Sequence, residues 1–344
     1  MRIIFTVKMD KILLGHGSGG KLTADLISGL FRKYFRAPQL LEGRDAALLE
    51  IPGSTLVFTT DSFVIHPLFY PGGNIGKLAV CGTVNDLAVS GARPLFLSAG
   101  FILEEGCDMK LLESVVSSMA AEAEKAGISL VTADTKVVEK GKCDQIFINT
   151  SGIGCLLPAY RKPGHQYEVT CGDSIIVNGF IGDHAMAVLQ ARNDLGFSSG
   201  VSSDNACLHE LVASLVHSGF RLKWMRDPTR GGLGTLLNEL ALQQHCGVFV
   251  EETAIPVRPE VEGLCELLGF DVLTLANEGK LVLVVPEEET AELLQQMKAH
   301  PLGQYAACIG RITDQSPGRV VMLTGVGGRR IVHPLLGEIL PRIC

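Results

Sequence analysis

The sequence predicts an α+β protein of two domains, and three observations carry that reading. Short β-type runs alternate with amphipathic helical ones from Ser54 to Pro163, some joined directly as hairpins. A second series of strand and helix patterns begins at Ser174. Between the two, Pro158, Pro163 and Gly164 sit among polar residues, the composition expected of a boundary. A chain of 344 residues with 47% hydrophobic content also exceeds what one core usually holds.

Taken in order, Thr55 to Thr60 reads as the first strand and delivers Asp61 at its end. Residues 74–91 read as a helix of small residues, capped by Asn74 and stopped by Gly91 and Pro94, with Asp86 embedded in Val84-Asn85-Asp86-Leu87-Ala88. Leu95 to Leu103 is strand-like. Asp108 caps a second helix whose apolar positions at 111, 112, 115, 116, 119, 120 and 123 keep a period of 3.6 until Gly127. Ile128 to Ala133 then ends at Asp134, and Gln145 to Ser151 supplies a further strand with Asn149 near its end. In the second half we expect a strand from Ser174 to Asn178, helices over 185–195, 208–218 and 233–244, strands over 248–251 and 281–285, and a helix near 287–299. From Gly325 onward the glycines, Pro334 and Pro341 discourage regular structure, so the tail reads as a mobile arm ending on the thiol of Cys344. The expected organisation is a Gly-rich loop and helix over 1–42, a first domain over 43–160, a second over 161–325 and the arm over 326–344. Met9 precedes the first patterned segment, so the start lies at Met1 or Met9 and residues 1–8 carry no structural weight.

Composition excludes several classes. Net charge is −7, no basic block exceeds Arg329-Arg330, and aromatics are 6%, which removes the footprint of a nucleic-acid binder. No run approaches the roughly 18 apolar residues of a membrane span. Ten cysteines show no CxxC pair and no regular spacing, so we expect reduced thiols in a cytoplasmic protein.

Several motifs carry chemistry. Gly15-His-Gly-Ser-Gly-Gly-Lys21 nearly satisfies the Walker A spacing, but Leu22 stands where a P-loop needs a hydroxyl for magnesium. The backbone of Gly17, Ser18, Gly19 and Gly20 can still wrap phosphate oxygens, or form a plain turn. Asp45, Asp61, Asp86 and Asp134 punctuate apolar runs. Each alone reads as a cap or turn residue; together they suit a hard cation shared with nucleotide phosphates. Asp227-Pro-Thr-Arg230-Gly-Gly precedes a helix and offers a glycine turn with an anion-friendly end and a guanidinium. Asn277-Glu278-Gly279-Lys280 places an acid in a tight turn before an apolar strand, where a base could stand.

Taken together, Gly17-Ser-Gly-Gly20, Thr60-Asp61-Ser62, Gly72 to Gly76, Val84 to Ala88, Asp134-Thr-Lys-Val-Val138, Asp227 to Gly232, Asn277-Glu-Gly279 and Pro341-Arg-Ile-Cys344 resemble the HypE family of hydrogenase maturation proteins across essentially the whole chain. That family belongs with the aminoimidazole ribonucleotide synthetases, selenophosphate synthetases and thiamin-monophosphate kinases. Its terminal Pro-Arg-Ile-Cys is what the other members lack. The resemblance implies the two-domain aminoimidazole ribonucleotide synthetase fold, an N-terminal sheet pairing across a homodimer, a C-terminal α/β sandwich and a flexible tail.

It implies ATP and Mg2+ as well, and a chemistry. A carbamoyltransferase partner would load Cys344 with a carbamoyl group, ATP would phosphorylate the amide oxygen, and loss of phosphate and protons would leave a thiocyanate. Cyanide would pass to an iron-bearing maturation scaffold. Asp45, Asp61, Asp86 and Asp134 would hold magnesium, with Asn85, Asn149, Asp227 and Arg230 assisting nucleotide. Lys136, on the face of Asp134 if the segment is extended, would stabilise the transferring group, and Glu278 would remove the amide proton. Arg44 stands where superfamily members often carry a second acid. Two other classes stay open: a small-molecule kinase with an incidental tail, and a non-enzymatic scaffold whose tail docks.

Overall fold

The structure, a computed structural model, describes residues 11–13, 26–36, 55–160, 168–192, 200–333, 340 and 342–344. The first domain is built on a four-stranded sheet of β1 (Leu56–Phe63), β6 (Ile146–Leu156), β4 (Ala92–Glu104) and β5 (Ser129–Val138), in that spatial order. β4 and β5 run parallel and the other neighbours antiparallel. A short hairpin of β2 (Phe69–Tyr70) and β3 (Gly73–Asn74) leads into helix α1 (Ile75–Val89), and α2 (Met109–Lys125) follows β4.

Both helix caps act as the sequence predicts. The Asn74 side chain accepts from the N–H groups of Gly76 and Lys77, and that of Asp108 from Lys110 and Leu111. All residues of α1 except Lys77 and Asp86 are buried, the mark of a helix enclosed on every side. Its small residues allow this. A Cβ at Gly152 on β6 would lie 2.6 Å from the Thr83 methyl and 2.9 Å from Leu87, so only glycine lets α1 lie this close to the sheet. The helices cover one face: Leu97, Ala99, Phe101 and Leu103 of β4 point inward, while Leu56, Phe58, Thr60 and Ser62 of β1 face outward and are exposed.

The second domain carries a seven-stranded sheet in the order β13 (Arg329–Val332), β12 (Val320–Leu323), β9 (Gly247–Glu251), β11 (Ala307–Thr313), β7 (Ser174–Val177), β10 (Val282–Val285), β8 (Trp224–Arg226). Only β9 and β12 pair in parallel. Helix α5 (Gly232–Gln243) packs on one face, and α4 (His209–His217) and α7 (Thr290–Ala299) on the other. Helices α3 (Asp183–Ala191) and α6 (Pro259–Leu268) instead send Ala185, Met186, Val188, Val261 and Cys265 into the core of the first domain. One apolar core therefore spans the domain boundary.

Two expectations are corrected. The arm does not begin at 326: Thr324 to Gly328 closes a turn, and Arg329–Val332 returns as the edge strand β13, which the glycines hid. Residues 342–344 are docked, with Ile343 buried in the first core, rather than loose. The strands β8, β11, β12 and the helix α6 escaped sequence reading, β8 because three residues carry no period.

Candidate active site between the two domains

The cleft is built where α1 meets the loops of the second domain. Neighbouring residues on a helix diverge by about 100°, so Asn85 and Asp86 address different walls. Asn85 is buried: its Nδ2 donates to the carbonyls of Ala206 and Glu278, both at 3.0 Å, and its Oδ1 accepts from the Leu208 N–H at 2.8 Å. Asp86 turns toward β1, where the Thr59 hydroxyl donates to it at 2.8 Å. Asp61 lies two residues further along the same face of β1, with the Arg230 guanidinium 3.8 Å away.

Asp227 closes this acidic wall. Burial, with the nearby charges of Asp86 and Asp61, pushes its carboxyl up to about 7. Burial likewise raises Asp61 and Asp86. Glu278 is buried deeper, and burial together with the charges of Asp204 and Asp227 holds its carboxyl well above the usual range. Its Oε1 is buried with no hydrogen-bond partner, which leaves that oxygen available to a ligand.

The turn that presents Glu278 is held by backbone bonds. Asp204 accepts from the N–H groups of Glu278 and Gly279 at 3.1 and 3.2 Å, and Lys280 pairs with the same carboxylate at 3.0 Å. A Cβ at residue 279 would sit 1.9 Å from the Asp204 carbonyl, so glycine is required there. Asn277 ties the turn to both neighbouring loops, accepting from Gly182 N–H at 2.7 Å and donating to the Pro228 carbonyl at 2.9 Å.

The terminal residues dock on His184, which lies in the field of the Asp204 carboxylate that holds this turn. The Val64 N–H donates to a carboxylate oxygen of Cys344 at 3.2 Å and the His66 N–H to the Arg342 carbonyl at 3.1 Å. Arg342 returns a bond to the Val64 carbonyl at 3.0 Å and pairs with Asp144. His184 bonds the Ile343 carbonyl through Nε2 and Ser203 Oγ through Nδ1, both at 2.8 Å. Because a carbonyl only accepts, Nε2 carries the proton and Nδ1 accepts from the serine hydroxyl. Burial depresses the histidine, so it binds the tail as the neutral ring. Its edge meets the Tyr70 ring, and Tyr70 in turn lies in the field of Glu278.

The structure brings Asp61, Asp86, Asp227, Arg230, Asn85 and Glu278 into one cleft. It does not bring Asp134 and Lys136 there. Strand period puts the two on one face, as read, but it is the outer face of the sheet, where they pair at 3.8 Å with 76% and 68% of their side chains exposed. Asn149 shares that face and donates to the Asp61 carbonyl at 2.8 Å and to Ser62 Oγ at 2.9 Å. Asp134, Gly100, Asn149 and Ser62 form one row across four strands. Lys136 heads the next row, with Ile102 and Phe147, and the Arg342 guanidinium stands over the Phe147 ring at 5.8 Å. Gly17, Ser18, Gly19, Gly20 and Asp45 lie outside the described residues. Asp204 and Arg192, whose guanidinium donates to the Arg342 carbonyl at 3.0 Å, were missed, and His184 read first as part of a helix start, because single polar residues at helix and loop positions carry no spacing signal.

A hard cation fits the cleft. Asp61, Asp86 and Asp227 supply three oxygen-donor side chains whose proton affinity burial raises, with Arg230 near Asp61. The charge of Asp61 adds to the rise at Asp86, and the charges of Asp86 and Asp61 add to that at Asp227. Among the described residues no three of the aspartates have ligand atoms within 4.8 Å of one another, so the carboxylates would have to draw in.

This two-domain architecture, with acids at the junction, defines a class. The model of the AIR synthase related protein N-terminal domain matches residues 43–156 and that of the C-terminal domain residues 170–322, so the chain belongs to the AIR synthase related family. It is 51% identical to carbamoyl dehydratase HypE of Rhodobacter capsulatus over 97% of this chain and 98% of that protein. The crystal structure of hydrogenase maturation protein HypE in complex with ATP superposes with a TM-score of 0.91 at 47% identity, covering 96% of this chain and 99% of that one. A HypE–HypF complex contains a chain of 44% identity that matches with a TM-score of 0.78 over 90% of this chain and 99% of that one. Within the family, the chain is thus a member of the HypE group.

Proposed function

We propose that the protein dehydrates a carbamoyl group carried on its own Cys344, with cleavage of ATP to ADP and phosphate, and so supplies cyanide for nickel–iron hydrogenase maturation. The observation that carries this reading is the docking of residues 342–344 against the first core, beside the turn of Glu278. A tail with no part in the chemistry has no need of a buried receptor whose His184 lies in the field of Asp204, the carboxylate that holds the Glu278 turn.

The chemistry follows from the groups present. The amide of an S-carboxamide cannot expel hydroxide; transfer of the γ-phosphoryl of ATP to its oxygen makes phosphate the leaving group. The nitrogen then loses both protons as the C–O bond breaks, giving thiocyanate and phosphate. Glu278 is the base: burial raises its proton affinity, which strengthens it as a proton acceptor, and Oε1 is unengaged. Asp61, Asp86 and Asp227 would hold Mg2+, which offsets phosphate charge when bound. Arg230 stands beside them for the phosphates. His184 and Arg192 hold the tail carbonyls and thereby aim the sulfur.

Lys136 and Asp134 keep their place in this reading through a homodimer. Phe58 (68% exposed), Leu56 and Ile102 lie on the outer face with them, an apolar patch on a sheet that no helix of the described residues covers. A second copy laid over that face would bury the patch and enclose Lys136 and Asp134 at the subunit contact. The loading partner is a carbamoyltransferase, in keeping with the HypE–HypF complex of the relative, and the acceptor an iron-bearing scaffold. Among the described residues no helix is long and apolar enough to cross a membrane, and the cysteines are free thiols, which suits the cytoplasm.

Mass spectrometry of the C-terminal peptide tests the proposal. After incubation with the carbamoylating partner and carbamoyl phosphate, the adduct on Cys344 should lose the mass of one water only when ATP is added. An adduct indifferent to ATP would overturn it.

A further inference from the structure

Cys81 and Cys207 belong to different domains, yet their sulfurs lie 3.5 Å apart. Cys81 is fully buried on α1; Cys207 is half-buried in the loop before α4. The approach is held by a specific device. Asn85 is one turn beyond Cys81 on the same face of α1, and its amide grips the chain on both sides of residue 207, at the Ala206 carbonyl and the Leu208 N–H. Residue 207 is thereby fixed over the preceding turn, which is Cys81. The buried carboxylate of Glu122 on α2 completes the group, with an oxygen within 4.8 Å of both sulfurs.

We propose that Cys81 and Cys207 are a redox modification site, a dithiol that closes reversibly to a disulfide tying the two domains together. Glutathione disulfide is the class of oxidant. The Cys207 thiolate, the more exposed, attacks one of its sulfurs and releases one glutathione. The Cys81 sulfur then attacks Cys207, forms the protein disulfide and expels the glutathione bound there. Two thiol protons leave, the protein is oxidised by two electrons, and two glutathione molecules carry those electrons.

The surroundings favour this product over a metal centre. Metal ligation needs both sulfurs as thiolates beside the Glu122 carboxylate, three negative charges in a buried place whose nearby cations are Lys125, paired to Glu122 at 3.3 Å, and Lys77. Burial, the bond to Cys207 and the Glu122 charge all hold the Cys81 thiol in its protonated form. A disulfide carries no charge and asks for no counterion. It would close a long loop through two domains, so the oxidised protein should resist unfolding more than the reduced one.

The test uses the full chain. Glutathione disulfide should give a species lighter by two hydrogens, a linked pair of peptides carrying Cys81 and Cys207 after nonreducing digestion, and a melting temperature several degrees higher that dithiothreitol reverses. Cys207→Ser, at the half-buried position, should fold and melt like the reduced parent and lose both the linkage and the shift. Three outcomes overturn the proposal: Cys207 arrested as a mixed disulfide with glutathione, the thermal shift persisting in Cys207→Ser, or one zinc ion retained through dialysis that shields both thiols from alkylation.

Discussion

Asp61 and Asp134 end similar strand patterns, each followed by a hydroxyl residue, yet they live on opposite faces of one sheet. On the inner face Asp61 joins Asp86 and Asp227, and burial raises all three carboxyls. On the outer face Asp134 stands in solvent with Lys136, a pair worth little to stability on its own. The difference teaches that an acid at the end of a strand gains chemical force from what covers its face. The inner face is covered by this chain's own helices, and beside Asp61 by the Asp227 and Arg230 loop of the second domain. The outer face awaits a second copy in the proposed dimer.

The strongest break of this comparison removes the group that the inner face serves. Cys344→Ser should abolish formation of the dehydrated adduct while ATP binding, measured by calorimetry, persists. Next comes Glu278→Gln, which keeps the shape of the turn but removes the base; turnover should fall by about 10²- to 10⁴-fold. Its melting temperature should hold or rise, since the change removes a buried carboxyl that costs stability when ionised. A variant that turns over normally would move the base elsewhere.

The outer face is probed by Phe58→Asp. Placing a charge in the exposed apolar patch should shift the protein from dimer to monomer in sedimentation, and should depress ATP-dependent turnover in step with Lys136→Ala. If Phe58→Asp stays dimeric, the subunit contact lies elsewhere.

The smallest effect is on stability. The folded Asp227 carboxyl titrates near 7 against an ordinary 3.8, so its contribution is full below the ordinary value and is lost as pH rises through about 7. At 1.36 kcal/mol per unit the loss is at most about 4 kcal/mol. Denaturant midpoints of Asp227→Asn, compared with the parent, should therefore gain on it as pH rises through this window. Magnesium with ATP should offset the parent's loss. A constant difference across pH would show that Asp227 is not the group being deprotonated.

Much of this was legible in the sequence because it rested on local rules. Asn74 and Asp108 cap their helices as read, since a side-chain oxygen meets bare N–H groups within its own turn. The small residues of α1 read as a helix, and the structure has that helix with all but Lys77 and Asp86 buried. The glycine-rich end misled, because Gly325 to Gly328 forms a tight turn and the strand after it is held by distant partners, its neighbour β12 and the side chains of Asn238 and Asp271. His184 read first as part of a helix start, and Asp204 was invisible, for a related reason. Their partners, Ile343 and the Glu278 turn, lie 159 and 74 residues away in sequence.

The amino-acid order by itself determined the types of the longer, periodic elements, the two-domain division and the chemical kinds of group available, because propensity, capping and period act over a few residues. Only the tertiary structure decided which acids share a cleft, which face of the sheet Lys136 occupies, and that the terminal residues dock. Those depend on burial and on contacts between distant segments, and a carboxylate's affinity for a proton or a cation is set by the charges and the dielectric that folding places around it.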